Sequence, residues 1–150
     1  MLASHPHLTG TVFDLAHVVA EGPSATADPS VAARFTTASG SFFESVPSAD
    51  VHLLKSILHD WPDDQCQEIL RTCRKALNPG GVVLVIETIL GRPGFEMDAA
   101  FSDLNMLVLP GGQERTDEEF ASLFQAAGLR LTRSIDTDTR FSIVEARAAG

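Results

Sequence analysis

Short runs of apolar and β-branched residues alternate with longer segments of helical or turn character, and this alternation limits the possible folds most strongly. Four of these runs are predicted strands: Thr11–Asp14, Arg34–Thr37, Asp50–Lys55 and Val82–Thr88. Strands separated by helical segments typically form a parallel sheet whose crossover helices cover its faces. Between the first two strands, Glu21–Ser30 is rich in small residues and proline and is predicted to be mobile. The sequence therefore predicts an α/β fold.

The clearest helix follows Pro62 and has one apolar face. Its apolar residues recur at steps of three and four, and they are Cys66, Ile69, Leu70, Cys73 and Leu77. The two cysteines are seven residues apart, or about 10 Å along a helix axis, which is too far for a disulfide. We therefore predict that both cysteines pack in the core. Asn78–Gly81, "NPGG", is predicted to end this helix before the next strand.

The second half of the chain contains two more predicted helices and a closing pair of strands. Met97–Leu109 has the composition of a helix, and Thr116 with Glu119 forms a capping box that opens another. Gly128 is predicted to close this last helix. The closing strands are Leu129–Ile135 and Phe141–Ala146.

Charge and hydropathy exclude two classes of partner. The chain of 150 residues has a formal net charge of −9, and its 11 lysine and arginine residues form no cluster, whereas nucleic-acid binding needs a basic face. No apolar run approaches the about 20 residues of a membrane-spanning helix, and the first residues do not resemble a secretion signal. The sequence therefore predicts a cytoplasmic protein whose partner is a small molecule, with neither nucleic acid nor membrane.

Candidate site residues lie where the predicted strands end. In α/β sheets, ligands bind outside the carboxyl ends of the strands, so the residues to consider are Asp14, Ser41 with Phe42, Lys55–His59 and Glu87. A carboxylate that closes a strand can accept hydrogen bonds from both hydroxyl groups of a ribose. Taken alone, Asp14 fits a helix cap better than a ribose contact.

His59 is the strongest candidate for acid–base chemistry. It follows an apolar strand, Glu87 ends the next strand, and Glu114 follows a Gly-Gly turn, so the three side chains are predicted to converge at one edge of the sheet. A neutral imidazole there can take a proton from a hydroxyl group, and a carboxylate on its other nitrogen fixes the tautomer. A single histidine beside acidic residues is more often a surface or capping residue, and that alternative remains open at this point.

Two long segments together resemble a known enzyme family. The segments "LLKSILHDWPDDQCQEILRTCRKALNPGGVVLVIETIL" and "DLNMLVLPGGQERTDEEFASLFQAAGL" resemble the C-terminal catalytic domain of the S-adenosylmethionine-dependent small-molecule O-methyltransferases. The relatives meant are the plant caffeate and hydroxyindole type and their bacterial counterparts in natural-product pathways. The upstream segments "HPHLTGTVFDLAHVV" and "GSFFESVPSADVHLLK" are similar to the same family. The order of "LHDW", "NPGG" and "GGQERT" makes the resemblance specific.

The resemblance implies an enzyme that transfers a methyl group from S-adenosylmethionine to a hydroxyl group of a small aromatic or polyketide-like acceptor. His59 is implied to be the general base, and Glu87 and Glu114 are implied to hold and polarise it. Asp60 is placed beside the base and the acceptor, with a helix-capping role equally open. Met106 is placed in the acceptor pocket, and packing in the core is its alternative. No metal is implied.

The resemblance also implies five cofactor-binding residues. Asp14 corresponds to the acid that binds the ribose, Phe42 to the residue against the adenine, and Lys55 to a polar contact with the nucleoside. Trp61 is implied to line the same pocket, and the alternative is that it packs in the core. Ser41 stands where the family usually has an acid, and because a hydroxyl accepts fewer hydrogen bonds than a carboxylate, weaker binding is expected.

The resemblance predicts a truncated Rossmann-like methyltransferase sheet with flanking helices. The family's first strand and glycine-rich loop, and the N-terminal helical domain through which the full-length relatives dimerise, would all precede Met1. We therefore predict that residues 1–150 are part of a C-terminal catalytic domain. Without the first strand, two apolar strand edges would stay unpaired, or the two strands would meet directly. Two alternatives stay open: a non-catalytic fragment that needs a partner chain, and a cofactor-binding relative with non-methylating chemistry.

Overall fold

The computed structural model of the chain describes residues 1–21, 28–108 and 112–150. The chain divides into two compact units, Met1–Pro47 and Ser48–Gly150. Each unit combines strands with helices, which confirms the predicted α/β class. Within the described ranges, no helix is both long and apolar enough to cross a membrane.

The first unit contains a two-stranded parallel sheet. Its strands are β1 (Gly10–Asp14) and β2 (Phe35–Ser39), which pair along their whole lengths. Arg34, the first residue of the predicted second strand, lies before β2 instead. Its guanidinium donates hydrogen bonds to the carbonyl oxygens of Leu8 at 2.6 Å and Leu2 at 2.9 Å. Arg34 thereby holds the N-terminal segment against the start of the strand.

Two short helices lie between these strands. They are α1 (Ala16–Glu21) and α2 (Pro29–Ala32), and the side chain of Asp28 caps α2. The stretch that the sequence predicts as mobile, Glu21–Ser30, includes residues 22–27, which lie outside the described residues. Its last residues form a capped helical turn.

The second unit is built around a four-stranded mixed sheet in the order β3, β4, β6, β5. The strands are β3 (Ala49–Lys55), β4 (Leu77–Thr88), β5 (Leu129–Asp136) and β6 (Phe141–Ala148). The first two run parallel, and β6 is antiparallel to both of its neighbours. The fully buried apolar side chains of this unit include Leu58, Ile69, Leu70, Val83, Val85, Phe124 and Val144.

Helix α3 (Asp63–Ala76) follows the predicted amphipathic pattern, except that Leu77, predicted on its apolar face, is the first residue of β4. Its buried side chains include Cys66, Ile69, Leu70 and Cys73, each at most 1% exposed. Both cysteines are free, which confirms that they pack in the core. Burying each of the two large aliphatic side chains stabilises the fold by about 1.5–3 kcal/mol, so this single face fixes the position of α3.

The "NPGG" segment differs from the prediction. The helix does end at Ala76, yet Asn78–Gly81 belongs to an irregular part of β4 rather than to a loop. These residues bulge opposite Asp50, whose Oδ1 accepts a hydrogen bond from the side-chain amide of Asn78 at 2.9 Å. A Cβ on Gly81 would lie 2.9 Å from the carbonyl oxygen of Asp50. The glycine therefore permits a close approach of the two strands that composition alone does not indicate.

Strand β3 lies at an edge of its sheet. Within the described residues of the second unit, β3 pairs only with β4, so its other edge carries unpaired backbone groups. Val51 and Leu53 on β3 are 47% and 44% exposed. Within the described part of the second unit, this edge of β3 is therefore unpaired and lies beside exposed apolar side chains.

Helix α4 (Glu96–Val108) agrees with the predicted Met97–Leu109 to within one residue, and residue 109 lies outside the described part. An apolar stripe on this helix is exposed, and its members are Met97, Phe101, Leu104 and Val108. The spacing of these residues is helical, but no other described element covers them.

Helix α5 (Asp117–Ala126) opens with the predicted capping box. The Thr116 hydroxyl accepts a hydrogen bond from the N–H of Glu119, and the Glu119 carboxylate accepts one from the N–H of Thr116 at 2.8 Å. Such a cap stabilises a helix by about 1 kcal/mol. Gly128 follows the helix with a φ of +75°, a conformation in which glycine avoids the strain of other residues.

Candidate active site

The segment after β3 leaves the sheet through a rare backbone conformation. Ser56 has a φ of 54°, in the left-handed region that non-glycine residues seldom adopt, and its N–H donates to the carbonyl oxygen of Ile86. The chain then forms a short 3₁₀ turn, Leu58–Asp60, whose first residue is buried. This turn places His59 just beyond the carboxyl end of β3, as the sequence predicts.

Glu87 lies near the end of the neighbouring strand β4 and is 1% exposed. Its Oε1 accepts hydrogen bonds from the N–H groups of Ile57 at 3.0 Å and Leu58 at 2.9 Å. Its Oε2 lies 3.0 Å from Nδ1 of His59. A buried carboxylate is stable only with such partners, and here the same carboxylate holds both the start of the turn and the imidazole.

Glu114 approaches the imidazole from the segment before α5 and is also buried. Its Oε1 lies 3.5 Å from Nδ1 of His59 and accepts a hydrogen bond from the Ser102 hydroxyl at 2.6 Å. Its own N–H donates to Oδ1 of Asp103 at 2.8 Å. Among the described residues, its Oε2 is buried without a hydrogen-bond partner. Helix α4 thus supplies two polar side chains that hold Glu114 in place.

His59 itself is mostly buried and has a second polar neighbour. Its side chain is 17% exposed, and its Nε2 lies 3.5 Å from Oδ1 of Asp60, whose side chain is 46% exposed. The two ring nitrogens therefore face different surroundings: Nδ1 meets two buried carboxylates, and Nε2 meets one that is partly hydrated. Such an arrangement leaves Nε2 as the nitrogen available for proton exchange with a ligand.

The two buried carboxylates change the charge state that the sequence suggests for His59. Close contact with the carboxylates of Glu114 and Glu87 raises the pKa of His59 from its ordinary 6.5 to about 10, against the opposing effect of desolvation. Each of the two carboxylates stabilises the charged ring, and together they do so more strongly than one would. His59 therefore carries a proton at neutral pH in the absence of ligands, and it must lose this proton before it can accept another.

This raised pKa predicts how stability depends on pH. The folded chain binds the His59 proton more tightly than the unfolded chain does, so the stabilisation is complete below about pH 6.5 and is lost as the pH rises towards 10. We expect the free energy of unfolding of the parent chain to fall over this window more steeply than that of His59→Gln. Urea denaturation of both proteins at pH 6.5 and at pH 10 measures the difference. Equal changes in the two proteins would show that His59 titrates normally.

The same three residues form a compact acid–base cluster. Within the described residues, one polar atom each of His59, Glu87 and Glu114 lies within 4.8 Å of the others. The protonated imidazole offsets part of the negative charge of the two carboxylates.

Three of the cofactor-binding candidates lie in the first unit. Asp14 ends β1, and its Oδ1 accepts a hydrogen bond from the N–H of Leu15 at 2.7 Å. Ser41 follows β2, and its hydroxyl accepts a hydrogen bond from the N–H of Phe43 at 3.3 Å. The ring of Phe42 meets that of Phe43 edge to face at 5.0 Å. Asp14 and Ser41 therefore lie where the sequence places them, close to the ends of their strands.

The remaining candidates lie in the second unit. Lys55 ends β3 and is exposed, and its Nζ lies 4.5 Å from the centre of the Phe141 ring. Trp61 is half-buried, and its carbonyl oxygen accepts a hydrogen bond from Arg115 at 2.9 Å. Met106 is half-buried in α4, and its carbonyl oxygen accepts one from the N–H of Gly112. The structure brings His59, Asp60, Glu87 and Glu114 together, and the cofactor-binding candidates are divided between the two units.

The sequence reasoning missed the residues that hold this cluster in place. Arg115 is fully buried beneath the turn, and Ser102 and Asp103 fix Glu114. The only signal was the "GGQERT" motif, in which Arg115 looks like an exposed surface residue. Arginine is almost never fully buried unless it is paired, and its partners here are about 50 positions away in the sequence.

Comparisons with known proteins identify relatives of the chain. Residues 1–130 match the O-methyltransferase domain family. The chain is 42% identical to phenazine O-methyltransferase PhzM of Lysobacter antibioticus, over 98% of the chain and 43% of that protein. It is 40% identical to norreticuline-7-O-methyltransferase of Papaver somniferum, over 93% of the chain and 39% of that protein.

The solved structure of a relative identifies the cofactor of the family. The chain is similar to NcsB1, an O-methyltransferase from neocarzinostatin biosynthesis in complex with S-adenosyl-L-homocysteine and 1,4-dihydroxy-2-naphthoic acid. The TM-score is 0.86 at 35% identity, over 98% of this chain and 44% of that chain. S-adenosylhomocysteine is the demethylated form of S-adenosylmethionine, so the predicted cofactor is confirmed for the family.

The matches define both the family and the extent of the likeness. The chain spans less than half the length of each of these relatives. The predicted resemblance and the methyltransferase fold, with the chain corresponding to only part of it, are confirmed. The chain therefore belongs to the O-methyltransferase domain family, whose members are S-adenosylmethionine-dependent enzymes.

Proposed function

We propose that this chain supplies the acid–base centre of an O-methyltransferase that acts on a hydroxyl group of a small aromatic or polyketide-like acceptor. The observation that carries the proposal is the position of His59, whose Nδ1 lies 3.0 Å from Glu87 and 3.5 Å from Glu114. In this proposal, Nε2 of His59 takes the proton from the acceptor hydroxyl. Glu87 and Glu114 stabilise the charged ring that results.

A base of this strength suits a phenolic acceptor. A phenol resembling tyrosine has a pKa near 10 and is only about 0.1% ionised at pH 7. The pKa of His59 is about 10 as well, so moving a proton from such a hydroxyl to the neutral imidazole is nearly balanced in free energy. At neutral pH only the small deprotonated fraction of His59 can accept this proton, so the rate of methyl transfer is expected to rise with pH. Asp60 beside Nε2 would help to hold the hydroxyl, and Met106 would line the acceptor pocket.

The cofactor S-adenosylmethionine supplies the methyl group on a sulfonium sulfur. In the first unit, the Asp14 carboxylate at the end of β1 is exposed and already oriented by Leu15, which suits two hydroxyl groups of a ribose. Ser41 would accept a single hydrogen bond, and Phe42 would lie against the adenine. In the second unit, we propose Lys55 and Trp61 as further contacts with the nucleoside.

Asp14→Ala is expected to weaken the binding of S-adenosylmethionine by about tenfold or more, because it removes an acceptor of charge-assisted hydrogen bonds. Calorimetric titration measures the dissociation constant. Asp138→Ala, which removes an exposed acid from the loop between β5 and β6, is the matched control. An unchanged dissociation constant with a lowered melting temperature would return Asp14 to a helix-capping role.

The proposal as a whole is tested by titrating the purified 150-residue chain with S-adenosylmethionine and, separately, with S-adenosylhomocysteine. Micromolar binding would support a cofactor site within these residues. No heat from a chain that circular dichroism shows to be folded would contradict independent cofactor binding by this chain.

The unpaired edge of β3 supports one alternative, a fragment that works only with a partner chain. The unpaired backbone groups of this edge, with exposed Val51 and Leu53 beside them, suit the addition of another strand. In a longer protein, the family's first strand would provide it in the same chain. Sedimentation analysis of the chain distinguishes a monomer from an assembly. A cofactor-binding relative with other chemistry is less well supported, because His59, Glu87 and Glu114 are all present.

A further inference from the structure

Arg115 is a buried cation directly beneath the turn that carries His59. It is 1% exposed. Its Nη1 donates to the carbonyl oxygen of Leu58 at 2.9 Å, and its Nη2 donates to that of Trp61 at 2.9 Å. These two carbonyl groups lie immediately before and after His59 and Asp60 in the sequence. The planar guanidinium of Arg115 therefore binds the turn at both ends.

The guanidinium is also tied to the start of α3. Its Nε and Nη2 lie 3.1 Å and 2.8 Å from Oδ1 of Asp63, and this oxygen accepts a further hydrogen bond from the Gln113 side chain at 3.2 Å. A buried charge is costly unless it is paired and hydrogen-bonded. Each nitrogen of Arg115 has a partner, so its position is fixed in all directions.

The turn has little internal support. Its own bonds are long: the N–H of Asp60 donates to Ile57 at 3.2 Å, and that of Trp61 donates to Leu58 at 3.3 Å. A 3₁₀ turn has poorer hydrogen-bond geometry than an α-helix. The orientation of His59 therefore depends on bonds from outside the turn, and these include the bonds of Glu87 on one side and of Arg115 on the other.

The residues just before Arg115 contact the same turn. The N–H of Gln113 donates to the carbonyl oxygen of His59 at 3.0 Å. A Cβ on Gly112 would lie 1.8 Å from that oxygen, so only glycine permits this approach. Glu114 lies between Gln113 and Arg115, and its carboxylate contacts the imidazole. Anchors on both sides of Glu114 thus set its distance from His59.

We propose that Arg115 is a positioning residue that holds the His59 turn and the Glu114 segment in one fixed relation, and so keeps the imidazole between its two carboxylates. The catalytic meaning of this role rests on the proposed function. Lysine cannot replace arginine here, because a single ammonium group cannot bridge two carbonyl oxygens and a carboxylate in one plane.

NMR titration of the histidine rings in the 150-residue chain tests this role without cofactor or acceptor. The His59 signal is identified by its loss in His59→Gln. We expect its pKa to be far above the ordinary value in the parent chain and to fall by about one unit or more in Arg115→Lys, because the imidazole then moves away from the carboxylates. A folded Arg115→Lys protein with an unchanged His59 titration would overturn the proposal.

Two further variants keep the test decisive. Arg71→Lys is the matched control, since Arg71 also donates to a backbone carbonyl, that of Ala126, but far along α3. If it lowered the pKa of His59 equally, general destabilisation would explain the effect and the proposal would fail. If Arg115→Lys does not fold, Asp63→Asn takes its place, and an unchanged His59 titration in that variant would likewise overturn the proposal.

These outcomes are independent of methylation. Failure to bind S-adenosylmethionine would contradict cofactor binding by the chain and leave the His59 titration unaffected. A normal titration in the Arg115 variant would remove the positioning role and leave the base itself in place.

Discussion

His59→Ala is expected to abolish methylation in any protein that contains this chain and methylates an acceptor. General bases contribute about 10²- to 10⁴-fold to the rate, and no other described nitrogen base is held between Glu87 and Glu114. The measurement is the rate of methyl transfer from labelled S-adenosylmethionine at saturating concentrations of both substrates. The expected change is in kcat, because the ring acts on a proton rather than on cofactor affinity.

The matched control for this variant is His7→Ala, which removes an exposed histidine from the N-terminal segment. It should retain the rate of the parent protein. A His59→Ala enzyme within about threefold of the parent would remove the general-base role. Unchanged cofactor binding by His59→Ala would show that the loss of rate does not come from unfolding.

The second large effect is expected for Glu87→Gln. The amide oxygen can still accept the N–H groups of Ile57 and Leu58, but the negative charge 3.0 Å from Nδ1 of His59 is gone. We expect the pKa of His59 to fall by about one unit or more. Activity requires the neutral ring, so the rise of activity with pH should move to lower pH by the same amount. The maximal kcat should fall, because a weaker base is a poorer proton acceptor.

NMR titration of His59 and the pH profile of kcat provide two independent measurements of this change. Glu145→Gln is the matched control, since Glu145 is also a buried carboxylate but pairs with Arg133 in the β5–β6 part of the sheet. Glu145→Gln should leave the pKa of His59 unchanged. An unshifted His59 pKa in Glu87→Gln would mean that Glu114 alone sets the charge state of the ring.

Features set by neighbours in the sequence were predictable. The apolar face of α3 follows from its three- and four-residue spacing, and the Thr116 capping box follows from two residues three positions apart. The site at the carboxyl ends of β3 and β4 follows from parallel topology, and the resemblance supplied the roles of its residues. These predictions depend on short-range geometry or on a whole motif.

Features set by distant contacts were not predictable. The bulge at Asn78–Gly81 depends on Asp50, and the burial of Arg115 depends on Leu58, Trp61 and Asp63. The raised pKa of His59 likewise needs both carboxylates at known distances, because the size of the shift depends on how close each carboxylate lies to the ring. Sequence reasoning can name such residues, but their partners become known only once the chain is folded.

The two buried cysteines of α3 can be used as chemical reporters of local unfolding. Burial raises the pKa of Cys66 to about 11 and that of Cys73 to about 12, so neither forms appreciable thiolate in the folded state near pH 8. Thiol reagents attack the thiolate. Their rate of reaction therefore depends on how often local opening exposes each cysteine. Cys66 also donates to the carbonyl oxygens of Leu58 and Trp61. The labelling rate of Cys66 is therefore expected to report local release of the His59 turn. The labelling rate of Cys73 is expected to report the separation of α3 from the sheet.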